Sequence, residues 1–173
     1  NLGYKLRHKE GYFPCPPADQ MMDIRNEMMQ TMIDCGIDVE CQHHEVATGG
    51  QSEINLRFAE LVKMADQLMA YKYVVKNTAR SRDMTVTFMP KPIFEDNGSG
   101  MHTHFSLWKD GKNAFYDPAG EPYHMSTVGR RFIGGLLAHV RSRGVQTGPP
   151  TTVLREVSLK GGGTVKAITD GVD

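Results

Sequence analysis

The sequence has little of several things, and each shortage excludes a class. Cysteine occurs three times in 173 residues, as Cys15, Cys35 and Cys41, with no C-x-x-C spacing. An odd, scattered set argues against a disulfide framework or a zinc knuckle and predicts a reducing, cytoplasmic setting. Charge of one sign is not in excess: Lys+Arg and Asp+Glu number 20 each. No nucleic acid is therefore expected as a partner. No apolar run approaches the ~20 residues needed to cross a bilayer, and the first residues lack the apolar core of a signal peptide, so no membrane is expected either. A starting Met is missing, which leads us to expect a fragment of a longer chain. Neither Gly-x-x-x-x-Gly-Lys-[Ser/Thr] nor Gly-x-Gly-x-x-Gly occurs, and there is no internal repeat.

What is present concentrates in Lys91-Pro92-Ile93-Phe94-Glu95-Asp96-Asn97-Gly98-Ser99-Gly100-Met101-His102-Thr103-His104-Phe105-Ser106. Residues 84–89 before it alternate and are rich in β-branched and aromatic types, so they predict a strand stopped by Pro90 and Pro92. Residues 102–108 alternate again. Asn97-Gly98-Ser99-Gly100 between them is a loop in which glycine lets a ligand approach the backbone. A strand over 102–108 would put His102, His104, Ser106 and Trp108 on one face. Two imidazoles and a hydroxyl beside a glycine loop suit a metal ion and phosphate oxygens. On the residues alone, that site and a plain turn with structural histidines stand about level.

Upstream, Pro16-Pro17-Ala18-Asp19 predicts a helix start. Met21, Met22, Ile24, Met28, Met29, Met32 and Ile33 continue it at helical spacing, and Gly36 ends it. Residues 37–46 change period: Ile37, Val39, Cys41, His43 and Glu45 fall on one side of a strand, and Asp38, Glu40, Gln42, His44 and Val46 on the other. After a turn at 47–52, residues 53–58 resume as a second strand. The hairpin would bring Glu45 and Glu53 together. Paired carboxylates repel unless a cation lies between them or one keeps its proton. A hard divalent ion, Mg²⁺ or Mn²⁺ rather than zinc, resolves this; two solvated glutamates beside a Gly-Gly turn are the alternative.

Residues 61–82 predict the longest helix, with Leu61, Ala65, Leu68, Met69, Lys72 and Val75 tracing one stripe. Asp110-Gly111-Lys112 is a hairpin turn signal. Residues 125–140 predict a third helix despite Gly134-Gly135. Beyond Arg141 glycine and proline break the text, and only Val153-Leu154 and 165–168 hint at strands.

Taken together, these residues resemble the catalytic domain of bacterial type I glutamine synthetase. The resemblance rests on Lys91-Pro92 through Ser106 and on His43-His44-Glu45-Val46-Ala47-Thr48-Gly49-Gly50-Gln51-Ser52-Glu53. Tyr71-Lys72-Tyr73-Val74-Val75-Lys76-Asn77 and Thr87-Phe88-Met89-Pro90 belong to it too. It implies an α+β fold, an antiparallel sheet with helices on one face and the site on the other, as an incomplete catalytic domain over 1–141. A divergent segment then follows over 142–173. It also implies a glutamate–ammonia ligase that uses ATP and passes through γ-glutamyl phosphate, with two Mg²⁺ or Mn²⁺ sites and a homo-oligomer, a dodecamer in the intact family.

By that resemblance Glu45, Glu53 and His102 look like metal ligands. His104, Ser106, Glu40 and Phe58 look like ATP-binding positions, and Asn97 and Gly98 like glutamate-binding ones. No residue is singled out as catalytic. Departures accompany the match. The family's Glu-x-Glu strand and small N-terminal β-domain do not occur here, and Pro150-Thr151-Thr152 runs into an unrelated Val153-Leu154-Arg155 in place of the family's arginine-bearing segments. The chain alone is therefore expected to be inactive. A ligase joining glutamate to a polyamine or another amine, or a non-catalytic assembly or nucleotide-binding relic, fits the same text.

Overall fold

The computed structural model describes residues 6–144, 156–159 and 163–166. The chain divides into two compact units, one up to Ser99 and one from Gly100 onward, and each is described by itself.

In the first unit, α1 (Met22–Asp34) forms where methionine and isoleucine recur at helical spacing. It stops as the sequence predicts. Gly36 takes φ +79°, the Gly36 N–H donates to the Ile33 carbonyl at 2.9 Å, and the Ile37 N–H donates to that of Met32 at 3.0 Å. This paired closure needs a left-handed residue, which glycine supplies without a Cβ clash. Strands β1 (Val39–His44) and β2 (Ser52–Leu56) follow as an antiparallel hairpin, and then α2 (Leu61–Ser81).

Met28, Met32, Ile37, Ile54, Val74, Val75 and Ala79 make the core, with Val39, Leu56, Tyr71 and Val86 packed against it. Only the C-terminal half of α2 reaches that core. Its buried residues are Val74, Val75, Thr78 and Ala79, whereas Leu61 and Met69 of the expected stripe are exposed. The stripe is thus displaced to the later turns, which carry the residues packed in the core.

The hairpin carries an irregularity that the alternation did not reveal. Val39 pairs with Leu56 and Cys41 with Asn55, so Glu40 is an extra residue, a β-bulge. Beyond it the faces exchange. Val39 packs on the core, and Gln42, three residues on, also faces α1, where its amide donates to Asn26 Oδ1 at 2.8 Å and accepts from Arg25 Nε at 2.5 Å. Val39 therefore does not share a side with His43 and Glu45, as a regular strand requires. Arg25, 2% exposed, also grips both carboxylate oxygens of Asp19, which ties the approach to α1 to the hairpin.

Residues 84–89, expected as a strand, join no ladder, and of the strand expected over 102–108 only Trp108 does. An alternating pattern specifies an extended chain, but a ladder needs a neighbour; among the described residues none pairs with 84–89, and 102–107 gains only the Ala114 N–H donating to the Leu107 carbonyl at 2.7 Å. Val86 packs on the core nonetheless, and the Phe88 ring lies 6.0 Å from that of Tyr71.

The second unit opens at Gly100, and its first hairpin is made of β3 (Trp108–Lys109) and β4 (Lys112–Asn113). Asp110 and Gly111 take φ 50° and 72°, the paired positive angles of the tight turn that Asp-Gly signals. Helix α3 (Thr127–Gly144) starts at Ser126, whose Oγ accepts from the Gly129 N–H at 3.0 Å, a hydroxyl cap. Phe115, Met125 and Leu136 are buried in this unit, and the Phe132 ring packs on Phe115 and Phe105. Strands β5 (Glu156–Leu159) and β6 (Gly163–Lys166) pair antiparallel. They take in Val165-Lys166, while Val153-Leu154 lies outside the described residues. Helices and small antiparallel sheets thus make an α+β partial domain. Among the described residues no helix is long and apolar enough to cross a membrane.

Candidate functional site

The register of the hairpin builds the site. His43 pairs with Glu53 across the strands, and Glu45 lies two residues further along the same face. The bulge has already turned that face away from α1. His43 Nδ1 stands 3.7 Å from Glu45 Oε1, and His43 Nε2 stands 3.7 Å from Glu53 Oε1. One ligand atom from each of the three residues falls within 4.8 Å of the others.

Exposure is graded through the cluster. The His43 side chain is 7% exposed, that of Glu45 21% and that of Glu53 34%, so the imidazole forms the floor and the carboxylates the rim. Phe13 and Tyr12 cover the ring. The Phe13 ring stacks on it at 4.0 Å between centroids, and Tyr12 meets it edge-on at 5.7 Å. These aromatics are placed because residues 11–13 run along the end of the hairpin. The Gly11 N–H donates to the Val46 carbonyl and the Phe13 N–H to that of His44. A Cβ on Gly11 would come within 2.5 Å of the Glu45 carbonyl oxygen, so only glycine permits the approach.

Hydrogen bonds assign the roles of the two adjacent histidines. His44 Nδ1 lies 3.0 Å from the Gly11 carbonyl and 2.6 Å from that of Glu45. Both only accept, so Nδ1 carries the proton and His44 is a buried structural clamp. His43 Nδ1 faces the His44 carbonyl at 3.2 Å. With the proton there, Nε2 keeps its lone pair and turns it toward Glu53, the arrangement a metal-binding imidazole requires. Glu45 is similarly oriented: the Val46 N–H donates to Oε2 at 3.1 Å, leaving Oε1 toward His43. Two carboxylates and one imidazole nitrogen, with no thiolate, fit Mn²⁺ or Mg²⁺. Tyr71 senses the same charge. Burial, with the Glu53 carboxylate adding to it, pushes its phenol up to about 12.

The other residues singled out in the sequence are distributed as follows. Asn97 and Gly98 lie on a loop tied to the hairpin's own turn: Gln51 Nε2 donates to the Gly98 carbonyl at 2.8 Å and to Ser99 Oγ at 3.0 Å. Glu40 is the exposed bulge residue. Phe58, 74% exposed, borders a cleft of about 370 Å³ lined also by Asp38, Arg57, Ala59, Glu60, Lys63 and Gln67. His102, His104 and Ser106 belong to the second unit. They form no strand, yet each is exposed while Thr103 and Phe105 between them are half-buried, and Ser106 Oγ accepts from Trp108 Nε1 at 3.1 Å. His43 was not among the candidate ligands. Its position two residues before Glu45 was the available signal. Asp96 was missed as well, its carboxylate lying buried against Thr48.

Comparison with known proteins bears on the family. A profile of the glutamine synthetase catalytic domain matches residues 1–152. Glutamine synthetase of Frankia alni is 56% identical over 157 residues, 91% of this chain and 33% of that protein. That of Sulfolobus acidocaldarius is 54% identical over 159 residues, again 91% of this chain and 34% of the relative. The chain therefore spans about a third of the length of these relatives. Among solved structures, Plasmodium falciparum glutamine synthetase superposes with a TM-score of 0.77 at 36% identity, covering 83% of this chain and 27% of that one. Ligand-free GmaS superposes with a TM-score of 0.68 at 32% identity, covering 77% of this chain and 31% of its own. The chain belongs to the glutamine synthetase catalytic-domain family.

Proposed function

We propose that this chain supplies the central part of an ATP-dependent glutamate–ammonia ligase. In that reaction a γ-carboxylate oxygen of glutamate takes the γ-phosphoryl of ATP, the bond to the β-phosphate oxygen breaks, and ADP leaves. Ammonia then attacks the acyl carbon of γ-glutamyl phosphate, the bond to the phosphate oxygen breaks, and the proton lost from nitrogen passes to the departing phosphate to give glutamine. The observation that carries the proposal is the His43, Glu45 and Glu53 cluster, on the hairpin whose turn is tied to Asn97 and Gly98.

Glu45 and Glu53 would hold one divalent ion, with His43 Nε2 as the third donor; by the resemblance His102 would be a ligand of a second. Bound ions neutralise the charge that migrates with the phosphoryl group. Asn97 and the Gly98 backbone would orient the amino acid so that its γ-carboxylate, not its α-carboxylate, faces the phosphate. By the same resemblance His104 and Ser106 in the second unit, and Glu40 and Phe58 in the first, would be nucleotide-contacting positions. Tyr12 and Phe13 would keep water from the floor of the cation site. A homo-oligomer in a cytoplasmic setting belongs to the same proposal.

Calorimetry with MnCl₂ and with ATP on the 173-residue chain tests it. The expected result is Mn²⁺ binding that Glu45→Ala and Glu53→Ala each weaken. Affinity unchanged in both variants would remove the cation site, and with it the proposal.

A further inference from the structure

The turn between β1 and β2 does more than reverse the chain. Two of its side chains reach into the segment that follows Pro92. Asp96, 2% exposed, accepts from the Thr48 N–H at 3.0 Å and from the Thr48 hydroxyl at 2.7 Å, and from the Asn97 N–H at 2.9 Å. Gln51, three residues along the turn, holds the Gly98 carbonyl and Ser99 Oγ. Gln51 is itself fixed at both ends: its Oε1 accepts from the Ala47 N–H at 3.0 Å and its carbonyl from the Glu45 N–H at 2.7 Å. Lys91 closes the far side, its Nζ donating to the Asp96 carbonyl at 2.5 Å. Gly49 lies against Ile93, where a Cβ would meet Cδ1 at 2.5 Å.

We infer that Asp96 is a positioning residue: through Thr48, and seconded by Gln51, it latches the Asn97–Gly98 loop to the turn that joins Glu45 to Glu53. The inference rests on the proposed function for the roles of those four positions. The physics of the latch does not. A buried carboxylate with three donors is held firmly, since removing any partner leaves a desolvated charge short of a hydrogen bond. The Thr48 hydroxyl contributes most, against the opposing effect of burial, to holding the Asp96 carboxyl below the usual carboxylate range. Asp96 is 2% exposed and engages both oxygens with the turn and with Asn97, so its part is to fix its neighbour. The consequence is that the amino-acid loop and the carboxylates of the cation site move as one body. A substrate that orders Asn97 and Gly98 would then order the metal hairpin too, which is coupling between two ligands through a shared rigid element.

The test is ¹⁵N NMR of the 173-residue chain titrated with MnCl₂, whose paramagnetism broadens amides by proximity. In the wild type, Ile54, beside Glu53, and Asn97 and Gly98 are expected to broaden together. Asp96→Ala and Thr48→Val are expected to release the loop, so that broadening at Asn97 and Gly98 is lost while that at Ile54 persists, and Thr48→Ser restores it. Thr48 is exposed, so its variants are expected to fold even where Asp96→Ala does not. Undiminished broadening at Asn97 and Gly98 in Thr48→Val and Asp96→Ala would overturn the latch and leave the cation site standing. Absence of broadening at Ile54 in the wild type would overturn the cation site instead. The latch would then be judged without metal, by exchange of the Thr48 and Asn97 amides, expected to quicken about tenfold in Asp96→Ala. Unchanged exchange would overturn it.

Discussion

His43 and Glu53 face each other across the hairpin, with His43 Nε2 3.7 Å from Glu53 Oε1, and this pairing is set by backbone register rather than by any side-chain lock. A carboxylate so placed can swing to a cation without disturbing the strands. Replacing Glu53 by alanine is accordingly expected to weaken Mn²⁺ binding by about tenfold or more while leaving the melting temperature of the metal-free chain within a degree or two. Calorimetry and thermal unfolding of the same sample check both halves.

Among the described residues of the candidate cluster His43 is the one nitrogen ligand, and an imidazole suits Mn²⁺ better than the all-oxygen preference of Mg²⁺. The wild type should therefore bind Mn²⁺ the more tightly, and His43→Gln should narrow the difference between the two ions. A preference that is the same in both proteins would place His43 outside the coordination sphere. Competition of Mg²⁺ against bound Mn²⁺, followed by electron paramagnetic resonance, measures it.

The Arg25–Asp19 pair predicts acid behaviour. Burial alone would raise the Asp19 carboxyl, but the Arg25 hydrogen bonds, the Met21 N–H and the charges of Arg25 and His44 outweigh it and hold the group below its ordinary value of 3.8. The folded chain then releases that proton more readily than the unfolded one. The stabilisation is present above about pH 4 and lost as the pH falls through the depressed value. Asp19→Asn leaves Arg25 buried without its counter-charge and is expected to cost about 3 kcal/mol at neutral pH. It should also flatten the dependence of stability on pH below 4. Urea unfolding across pH 3 to 7 shows whether both occur.

Gly98 and Gly100 separate structural from chemical reasons for the glycine loop. A Cβ at Gly98 would stand 2.7 Å from the Pro90 carbonyl oxygen, whereas one at Gly100 would meet nothing within 4 Å. Gly98→Ala is expected to destabilise by about 1–3 kcal/mol and Gly100→Ala hardly at all. Chemical denaturation of the two variants side by side makes the comparison.

How far the text revealed these features depended on how local each one is. The end of α1 at Gly36, the Asp110-Gly111 turn and the hairpin spanning Glu45 and Glu53 were all readable, because each is fixed by a few adjacent residues with special backbone or periodic demands. Family membership was readable because two long motifs occur in order. What was not readable was tertiary. Residues 84–89 alternate like a strand but find no ladder partner among the described residues, and on α2 only the later turns carry residues buried in the core. His43 is not marked out as a candidate ligand by the sequence, because nothing in a histidine's neighbours says which of its nitrogens is already bonded. Asp96 was passed over because its partner Thr48 lies far off in the chain.

Glu40 has a significance beyond its own side chain. As the supernumerary residue of β1 it sets the phase between two stretches that would otherwise disagree, one needing Val39 inward and the other needing His43 outward. Deleting that one position would keep every other amino acid yet invert the distal half of the strand, driving an imidazole into oil and lifting the Gln42 amide off Arg25. The acidic rim exists because one residue too many was kept.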